Sequence, residues 1–286
     1  MSRRGIADTE PALTLDFAPP RFVRVGDRRL AYDEVSPRDP EGTILLLCGI
    51  GAKRQGWYRQ LPVLGRRFRC LALDYRDVGD SDPSSGSYAI RDLAGDVFAL
   101  SGELGIARAS LIGISMGGFI ALEMTLARPE FVERLVLVVT SAGGPTHVST
   151  SPEVMRALMP GDETVESGEG ARRVCSLVAG PGFAERHPEA IDEFVEIARH
   201  RPMPVDAYLR QLEACRAHDV SRRLGEIDVP TLVIHGDADP LVPLQNGLFL
   251  AAHIPGARLL VYEGVGHIPE VEVDDRFNSD LIEFLV

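Results

Sequence analysis

The stretch that most restricts how this chain folds is Gly113–Gly118, with the sequence Gly-Ile-Ser-Met-Gly-Gly. An apolar run, Ala109–Ile114, precedes Ser115, and a helical pattern over Met116–Ala127 follows it. A serine on so sharp a strand-to-helix turn adopts a strained backbone conformation, and only small residues fit two positions to either side. Glycine occupies both positions, so the stretch predicts an exposed, nucleophilic serine.

Six segments of the chain are continuously apolar, as expected for strands that helices cover on both faces. They are Thr43–Cys48, Cys70–Leu73, Ala109–Ile114, Leu135–Val139, Thr231–Ile234 and Leu259–Tyr262. Helical patterns separate them, at about residues 57–66, 88–104, 116–128, 244–253 and 275–285. Two alternating strands, 22–25 and 30–35, form a hairpin pattern before the series. The alternation predicts an α/β fold with a mostly parallel, doubly wound sheet of about eight strands.

One interval, residues 145–222, lacks the buried-strand pattern and carries short helical patterns instead. These lie near Pro152–Met159, Glu169–Val178, Pro188–His200 and Val205–His218. Because each helix is too short to bury itself alone, we expect a helical cap over the carboxyl ends of the parallel strands. The predicted organisation is an N-terminal arm (1–20), a core domain (21–144 and 223–286) and the cap (145–222).

The chain is acidic, and its formal net charge of −12 argues against nucleic acid or an anionic membrane surface as a partner. No window approaches the ~18 apolar residues that cross a bilayer, and no apolar run follows the arginines near the start. Four scattered cysteines without ligand spacing predict buried thiols and no metal site. We expect a cytoplasmic protein without a cofactor, with the choice between monomer and homodimer left open.

A nucleophilic serine needs a base, and His267 is the best placed of the seven histidines. It follows the last predicted strand, which places it at the same sheet edge as Ser115. His235 comes at the end of a buried strand and is the rival candidate. The histidines within residues 145–222 are expected at the surface.

The base needs an acid that fixes its tautomer. Asp237 and Asp239 both follow the second-last predicted strand. Asp239 lies deeper in its loop, immediately before Pro240, and is favoured. Asp237 stays open as an alternative, although it also suits a turn residue that bonds its own backbone.

The oxyanion that forms during attack on an acyl carbon needs two preorganised N–H donors. The backbone of Met116, directly after the serine, is one candidate, and Ile50, in the loop Cys48–Gly51, is the other. The glycines of that loop do not form a phosphate-binding motif, because no G-x-x-x-x-G-K-[ST] pattern is present. The residues expected to line the substrate pocket are Trp57, Leu241, Val242 and Ile268.

The order of serine, acid and base, with the turn and the inserted helices, resembles the α/β-hydrolase fold family over residues 21–286. Two further stretches match the family's patterns: Asp74–Ser81 is similar to D-x-R-G-x-G-x-S, and Gly266–Glu272 to G-H-x-P-x-x-E. The family's acid lies in the pattern G-x-x-D-x-x-x-P. This pattern maps its aspartate onto Asp239, so the resemblance implies Asp239 rather than Asp237.

Two positions depart from the family's patterns. Cys48 stands where the family commonly has a histidine that props the oxyanion loop, and Asp77 replaces a common glycine. Serine rather than aspartate at position 115 argues against haloalkane dehalogenases and epoxide hydrolases. The lack of a His-Gly-Gly run argues against the hormone-sensitive-lipase branch.

The residues and the resemblance together predict a serine hydrolase whose substrate is a small-molecule ester of a small or medium carboxylic acid. In this hypothesis Ser115 attacks, His267 takes its proton and Asp239 orients the imidazole. Alternatives with the same residues are an enol-lactonase, a hydrolase of carbon–carbon bonds in ring-cleavage products and a cofactor-free perhydrolase. A ligand receptor on the same fold is an alternative of a different class.

Overall fold

The computed structural model describes residues 17–159 and 168–286. The predicted arm, residues 1–20, therefore lies mostly outside the described residues. Within the described ranges a single sheet has eight strands. They are β1 (Arg21–Val25), β2 (Arg28–Val35), β3 (Thr43–Leu47), β4 (Arg69–Leu73), β5 (Ala109–Ile114), β6 (Val132–Val138), β7 (Thr231–Gly236) and β8 (Arg258–Tyr262).

The strand order is β1-β2-β4-β3-β5-β6-β7-β8, and the strands from β4 to β8 are parallel. The hairpin partners β1 and β2 are antiparallel to each other, and β2 is antiparallel to β4. This arrangement confirms the predicted α/β-hydrolase sheet of eight mostly parallel strands. The order reverses at β3, because the chain moves from β3 to β4 on one side and then to β5 on the other. The carboxyl ends of β3 and β5 therefore border the topological switch point, where α/β sheets bind ligands.

Helices connect the parallel strands. Those outside the interval between β6 and β7 are α1 (Leu61–Leu64), α2 (Ile90–Glu103), α3 (Met116–Ala127), α9 (Gln245–His253), α10 (Pro269–Glu272) and α11 (Asp274–Leu285). Helix α2 packs on α3, and α1 packs on α11. Right-handed crossovers place α1 and α2 on opposite faces, because their connections run in opposite directions along the sheet.

The centre of the sheet is apolar on both faces. The side chains of Leu111, Ile112 and 135–138 have no exposed surface. Each fully buried Leu, Ile or Val side chain contributes about 1.5–3 kcal/mol relative to an exposed one. The continuous apolar runs in the sequence are thus explained by helices on both sides of the strands.

The prediction of a helix over residues 57–66 is wrong in its extent. The chain instead forms a 3₁₀ turn at Arg54–Trp57 and a single α-helical turn, α1. Gly65 ends α1 against the sheet, where a Cβ atom would lie 2.4 Å from Val35 Cγ1. The connection between β3 and β4 is therefore held by close packing rather than by a long helix.

Between β6 and β7 the chain forms helices that we call the helical insertion. They are α4 (Pro152–Leu158), α5 (Gly168–Val178), α6 (Phe183–Arg186), α7 (Pro188–Arg199) and α8 (Val205–Ala217). Helix α5 packs on α7. Apart from the core around the sheet, Leu158, Cys175 and Ile191 form an apolar cluster with Ile268, which follows β8. Within the described ranges, the helices all fall short of the length and apolarity needed to cross a membrane.

Candidate active site

Ser115 occupies the turn between β5 and α3. Its backbone has φ 53° and ψ −118°, a conformation that costs an L-residue about 1–3 kcal/mol. Neighbouring groups hold it there: Ser115 N donates to Val138 O at 3.0 Å, while Thr140 Oγ1 and Gly118 N donate to Ser115 O at 2.7 and 2.9 Å. The strain is therefore compensated by hydrogen bonds, and the residue lines a cavity above the sheet.

The glycines around Ser115 leave no room for a larger residue. A Cβ atom on Gly113 would lie 2.3 Å from Gly117 O, and one on Gly117 would lie 2.1 Å from Leu47 O. Both separations are far shorter than the contacts that real Cβ atoms make. The strand, the turn and the helix thus pack as closely as the motif requires.

The loops after β7 and β8 bring Asp239 and His267 together. His267 Nδ1 lies 2.7 Å from Asp239 Oδ2, and the side chains are 8% and 0% exposed. Asp239 Oδ1 accepts the N–H groups of Leu241 and Val242 at 2.8 and 2.9 Å. These bonds fix the carboxylate, so its second oxygen faces the imidazole.

The environment of His267 favours its protonated form. Burial lowers the pKa of His267, but the charge and hydrogen bond of Asp239 raise it, as do the charges of Glu270 and Glu272, and the pKa lies above its usual value. Because the carboxylate accepts a hydrogen bond, Nδ1 is the donor in the neutral ring. Nε2 is then the nitrogen that can take up a proton.

Glu272 holds the loop that carries His267. Its Oε1 accepts the N–H of Gly266 at 2.9 Å, and its Oε2 accepts the N–H of Gly180, in the helical insertion, at 2.8 Å. His267 N also donates to Val178 O at 2.7 Å. The final glutamate of the G-H-x-P-x-x-E pattern therefore links this loop to the helical insertion.

The rival residues from the sequence make other contacts. Asp237 Oδ1 accepts the N–H of Gly264, in the loop after β8, at 2.7 Å, rather than a backbone N–H of its own turn. His235 is fully buried, its Nε2 lies 2.7 Å from Val242 O, and burial lowers its pKa. Neither side chain lines the cavity.

Ile50 and Met116 line the same cavity as Ser115. Met116 begins α3, so its N–H has no partner within the helix. A Cβ atom on Gly49 would lie 3.4 Å from Ser115 Cβ and 3.9 Å from Ser115 Oγ. The loop after β3 therefore runs directly beside the serine hydroxyl.

The cavity has a volume of about 570 Å³ and mostly apolar walls. The four predicted pocket residues all line it: Trp57, Leu241, Val242 and Ile268. The helical insertion contributes further apolar walls, among them Leu158, Val174, Phe194, Ile197 and Tyr208. Charged groups on the lining include Lys53, Arg216 and Glu270.

Glu270 is a lining residue that the sequence analysis missed. Its Oε2 is buried without a hydrogen-bond partner. Burial raises the pKa of Glu270 to about 7, against the lowering effects of its own backbone N–H and of the His267 charge. The residue occupies a variable position of the G-H-x-P-x-x-E pattern, so its acidic side chain three positions after His267 was the available signal.

Ser141 and His147 form a serine–histidine contact beside the cavity. Ser141 Oγ is 2.9 Å from His147 Nδ1, and His147 lines the cavity. Ser141 itself is 1% exposed, does not line the cavity and accepts the N–H of Gly143 at 3.2 Å.

The expectation of surface histidines is wrong for His218, which is buried and stacks on Phe119 with ring centroids 4.5 Å apart.

The cysteines are free thiols, and three of them are buried as predicted. Cys48, Cys70 and Cys175 are buried, while Cys215 is partly exposed. Within residues 17–159 and 168–286, no group of three or more His, Cys, Asp or Glu side chains is arranged to hold a metal ion.

Comparison with known proteins identifies the family. Residues 42–272 match the family model described as the alpha/beta hydrolase fold, which is more than half of the chain. The chain therefore belongs to the α/β-hydrolase fold family.

Several relatives of this chain are named as hydrolases or lactonases. A 2-hydroxy-6-oxononadienedioate/2-hydroxy-6-oxononatrienedioate hydrolase of Klebsiella pneumoniae is 32% identical over 94% of this chain and 96% of its own. A protein of Pseudomonas syringae, provisionally named carbamate hydrolase RutD, is 30% identical over 85% of this chain and 93% of its own. The solved structure of an enol-lactonase from Burkholderia xenovorans has a TM-score of 0.79 at 29% identity, covering 93% of this chain and 99% of that one. These relatives support an enzyme that is a hydrolase.

Proposed function

We propose that this protein is a serine hydrolase that forms a covalent acyl-enzyme on Ser115, with His267 as base and Asp239 as the orienting acid. The observation that carries the proposal is the 2.7 Å hydrogen bond between Asp239 and His267, in a site where His267 and Ser115 line one cavity. A strained serine beside an oriented imidazole is the arrangement that nucleophilic catalysis needs.

In the first half-reaction, Ser115 Oγ attacks the carbonyl carbon of the substrate and its proton passes to His267 Nε2. The carbonyl oxygen becomes an oxyanion, which accepts hydrogen bonds from the backbone N–H groups of Ile50 and Met116. Asp239 stabilises the imidazolium. The bond to the leaving group then breaks, and the leaving group receives the proton from His267.

In the second half-reaction, water replaces the leaving group. His267 Nε2 takes a proton from the water, which attacks the acyl carbon and forms a second oxyanion in the same site. The bond between the acyl carbon and Ser115 Oγ breaks, and the serine regains its proton from His267. The product is a carboxylic acid, and the enzyme returns to its starting state.

As substrates we propose enol-lactones and ring-cleavage oxo acids, in preference to the saturated esters that the sequence patterns favoured. In an enol-lactone the group that leaves the carbonyl carbon is an enolate oxygen. In a ring-cleavage oxo acid the 2-hydroxydiene first tautomerises to its keto form, with the hydroxyl proton replaced by one on the carbon beside the carbonyl, and the leaving group is then a conjugated dienolate. The hydrolase of Klebsiella pneumoniae and the enol-lactonase are named for such compounds. The apolar cavity suits an unsaturated carbon chain, and Lys53 and Arg216 bring positive charge to its lining for a carboxylate.

We also propose that residues 145–222 act as a cap, with residues 21–144 and 223–286 as the core domain. Helices α4, α5, α7 and α8 supply much of the apolar wall of the cavity that Ser115 lines. An apolar cover excludes water and strengthens the electrostatic interactions inside the site. The cap then selects the substrate, while the sheet carries the reacting groups.

The proposal is tested by one substrate panel, measured on the wild type and on Ser115→Ala. The panel contains an enol-lactone, a ring-cleavage oxo-dienoic acid and nitrophenyl esters of increasing acyl length. We expect kcat/KM for the enol-lactone or the oxo acid to exceed that of the best nitrophenyl ester by at least about tenfold. Ser115→Ala should lose on the order of 10⁴–10⁶ in kcat.

Each alternative has its own result. Nitrophenyl esters as the best substrates would favour the carboxylesterase hypothesis. Wild-type turnover by Ser115→Ala would show that the nucleophile is assigned wrongly. Binding of a panel compound by the wild type without any turnover would favour a ligand receptor.

A further inference from the structure

Gln211 joins the helical insertion to the loop that carries Ile50. It lies on α8, its side chain is fully buried, and its Oε1 accepts the N–H of Gly51 at 2.9 Å. Gly51 directly follows Ile50 in the chain. The hydrogen bond therefore fixes the peptide plane next to the proposed oxyanion donor.

The insertion also packs against this loop. Gly51 has a φ of +67°, and a Cβ atom there would lie 3.7 Å from the Tyr208 ring and 3.8 Å from Met203 Sδ. Ala52 N donates to Gly49 O at 3.2 Å and closes a turn within the loop. Because glycine has more backbone freedom than any other residue, contacts from outside restrict a loop with Gly49 and Gly51 further. Those contacts come from the segment that contains α8.

The loop's own residues give it less support than the family's pattern implies. Cys48 replaces the common propping histidine, and its thiol donates to Lys53 O at 3.3 Å, five residues further along the chain. A weak thiol donor within the same turn does not tie the loop to another element. Tyr75 Oη donates to Cys48 O at 3.4 Å, and Gln211, 160 positions away from Gly51 in the sequence, ties the loop to α8 through a shorter bond of 2.9 Å.

Helix α8 is bound to the core through Arg210, the residue before Gln211. Arg210 Nε and Nη2 donate to the two carboxylate oxygens of Asp77 at 3.2 and 3.1 Å. The Asp77 side chain is 0% exposed, and its Oδ1 also accepts the N–H of Ser84 at 2.7 Å. Asp77 has a φ of 71° where the family commonly has glycine, so the carboxylate accounts for a non-glycine residue in this conformation.

We propose that Gln211 is a positioning residue. By fixing the Ile50–Gly51 peptide, it restricts the adjoining Gly49–Ile50 peptide, whose N–H is the proposed oxyanion donor, and α8 acts as a fixed brace between Asp77 and the oxyanion loop. This inference rests on the proposed function, since it takes Ile50 N–H as an oxyanion donor. Preorganised donors contribute most to the transition state, so a loosened donor lowers kcat more than it raises KM.

The test compares Gln211→Met, which removes the acceptor at similar side-chain length, with Gln211→Glu, which retains an acceptor oxygen. Active sites are counted by titration with a fluorophosphonate, and kcat is expressed per titrated site on the best substrate of the panel. Removing an oxyanion donor costs about 10²–10³ in kcat, and a loosened donor should cost less. We expect Gln211→Met to lose about 10- to 100-fold in kcat with KM within about twofold. Gln211→Glu keeps the acceptor but buries an ionisable group where Gln211 Nε2 has no partner, so we expect it to lose activity, though less than Gln211→Met.

Partial unfolding lowers the number of titrated sites without changing kcat per site. A lower kcat per titrated site therefore indicates a positioning role, whereas fewer titrated sites alone indicate a purely structural one. A kcat per site for Gln211→Met within threefold of the wild type would overturn the inference, and so would an equal defect in Gln211→Glu. Ser115→Ala is measured in parallel. Full activity in that variant would refute the proposed function, whereas inactive Ser115→Ala with unimpaired Gln211→Met would refute the brace alone.

Discussion

Replacing Asp239 by asparagine should change the tautomer of His267, because the hydrogen bonds to Asp239 fix the orientation of the new amide group. Asp239 Oδ1 accepts two N–H groups, from Leu241 and Val242, at 2.8 and 2.9 Å. The oxygen of the new amide must take this position, because its NH₂ group cannot accept. The NH₂ group then occupies the position of Oδ2 and presents a donor to His267 Nδ1. Nδ1 must accept, and the ring proton moves to Nε2.

The expected loss in kcat follows from the tautomer of His267. With its proton on Nε2, His267 cannot take the proton of Ser115, and the equivalent substitution in a serine protease lowers kcat about 10⁴-fold, or about 5.5 kcal/mol. The substitution also removes the principal causes that raise the pKa of His267, so burial dominates and the pKa falls. Because catalysis needs the neutral ring, the rising limb of kcat/KM should move to lower pH as the plateau drops.

The assay is kcat/KM against pH for the wild type, Asp239→Asn and the matched control Asp237→Asn. Asp237 Oδ1 accepts only a backbone N–H, from Gly264 at 2.7 Å, and an asparagine oxygen can accept it equally well. We expect the control to retain activity within about threefold. Equal losses in the two variants, or activity of Asp239→Asn within about tenfold of the wild type, would refute the assignment of the acid.

Two further predictions concern packing and charge. Gly117→Ala should lower the free energy of unfolding in urea by about 1–3 kcal/mol, because its Cβ would lie 2.1 Å from Leu47 O. The control is Gly95→Ala, at an exposed site of α2 where a Cβ atom would meet nothing within 4 Å, and it should raise the free energy of unfolding by up to about 1 kcal/mol. Equal changes in the free energy of unfolding of the two variants would contradict the packing argument. Glu270→Gln should move the rising limb of kcat/KM to lower pH, since the Glu270 charge raises the pKa of His267; an unmoved limb would contradict this coupling.

The sheet could be predicted from the sequence because burial on both faces leaves a direct signal. Each apolar run became a strand, with ends shifted by a few residues: the run Leu135–Val139 overlaps β6, which spans Val132–Val138. Short helices left weaker signals. Helix α6 was not predicted, since it is one turn long and depends on Gly182, whose φ is 70°. Such turns are set by packing rather than by periodicity.

The candidate site was predictable where its residues follow strands. Ser115, Asp239 and His267 follow the ends of β5, β7 and β8 by one, three and five residues, and parallel strands carry their carboxyl ends to one edge. Their catalytic roles stay predictions until the variants are measured. Gln211 could not be predicted, because its partner lies 160 positions away and the contact depends on how the helical insertion packs.

The most direct test of the central claim is to identify the residue that reacts covalently. The wild type and Ser115→Ala are incubated with a fluorophosphonate, and the adduct is measured by intact-protein mass spectrometry and located by peptide mapping. We predict one adduct per chain, on Ser115, formed in parallel with the loss of activity and absent from Ser115→Ala. An adduct on another residue such as Ser141, with Ser115 unmodified in the inactivated enzyme, would contradict the account.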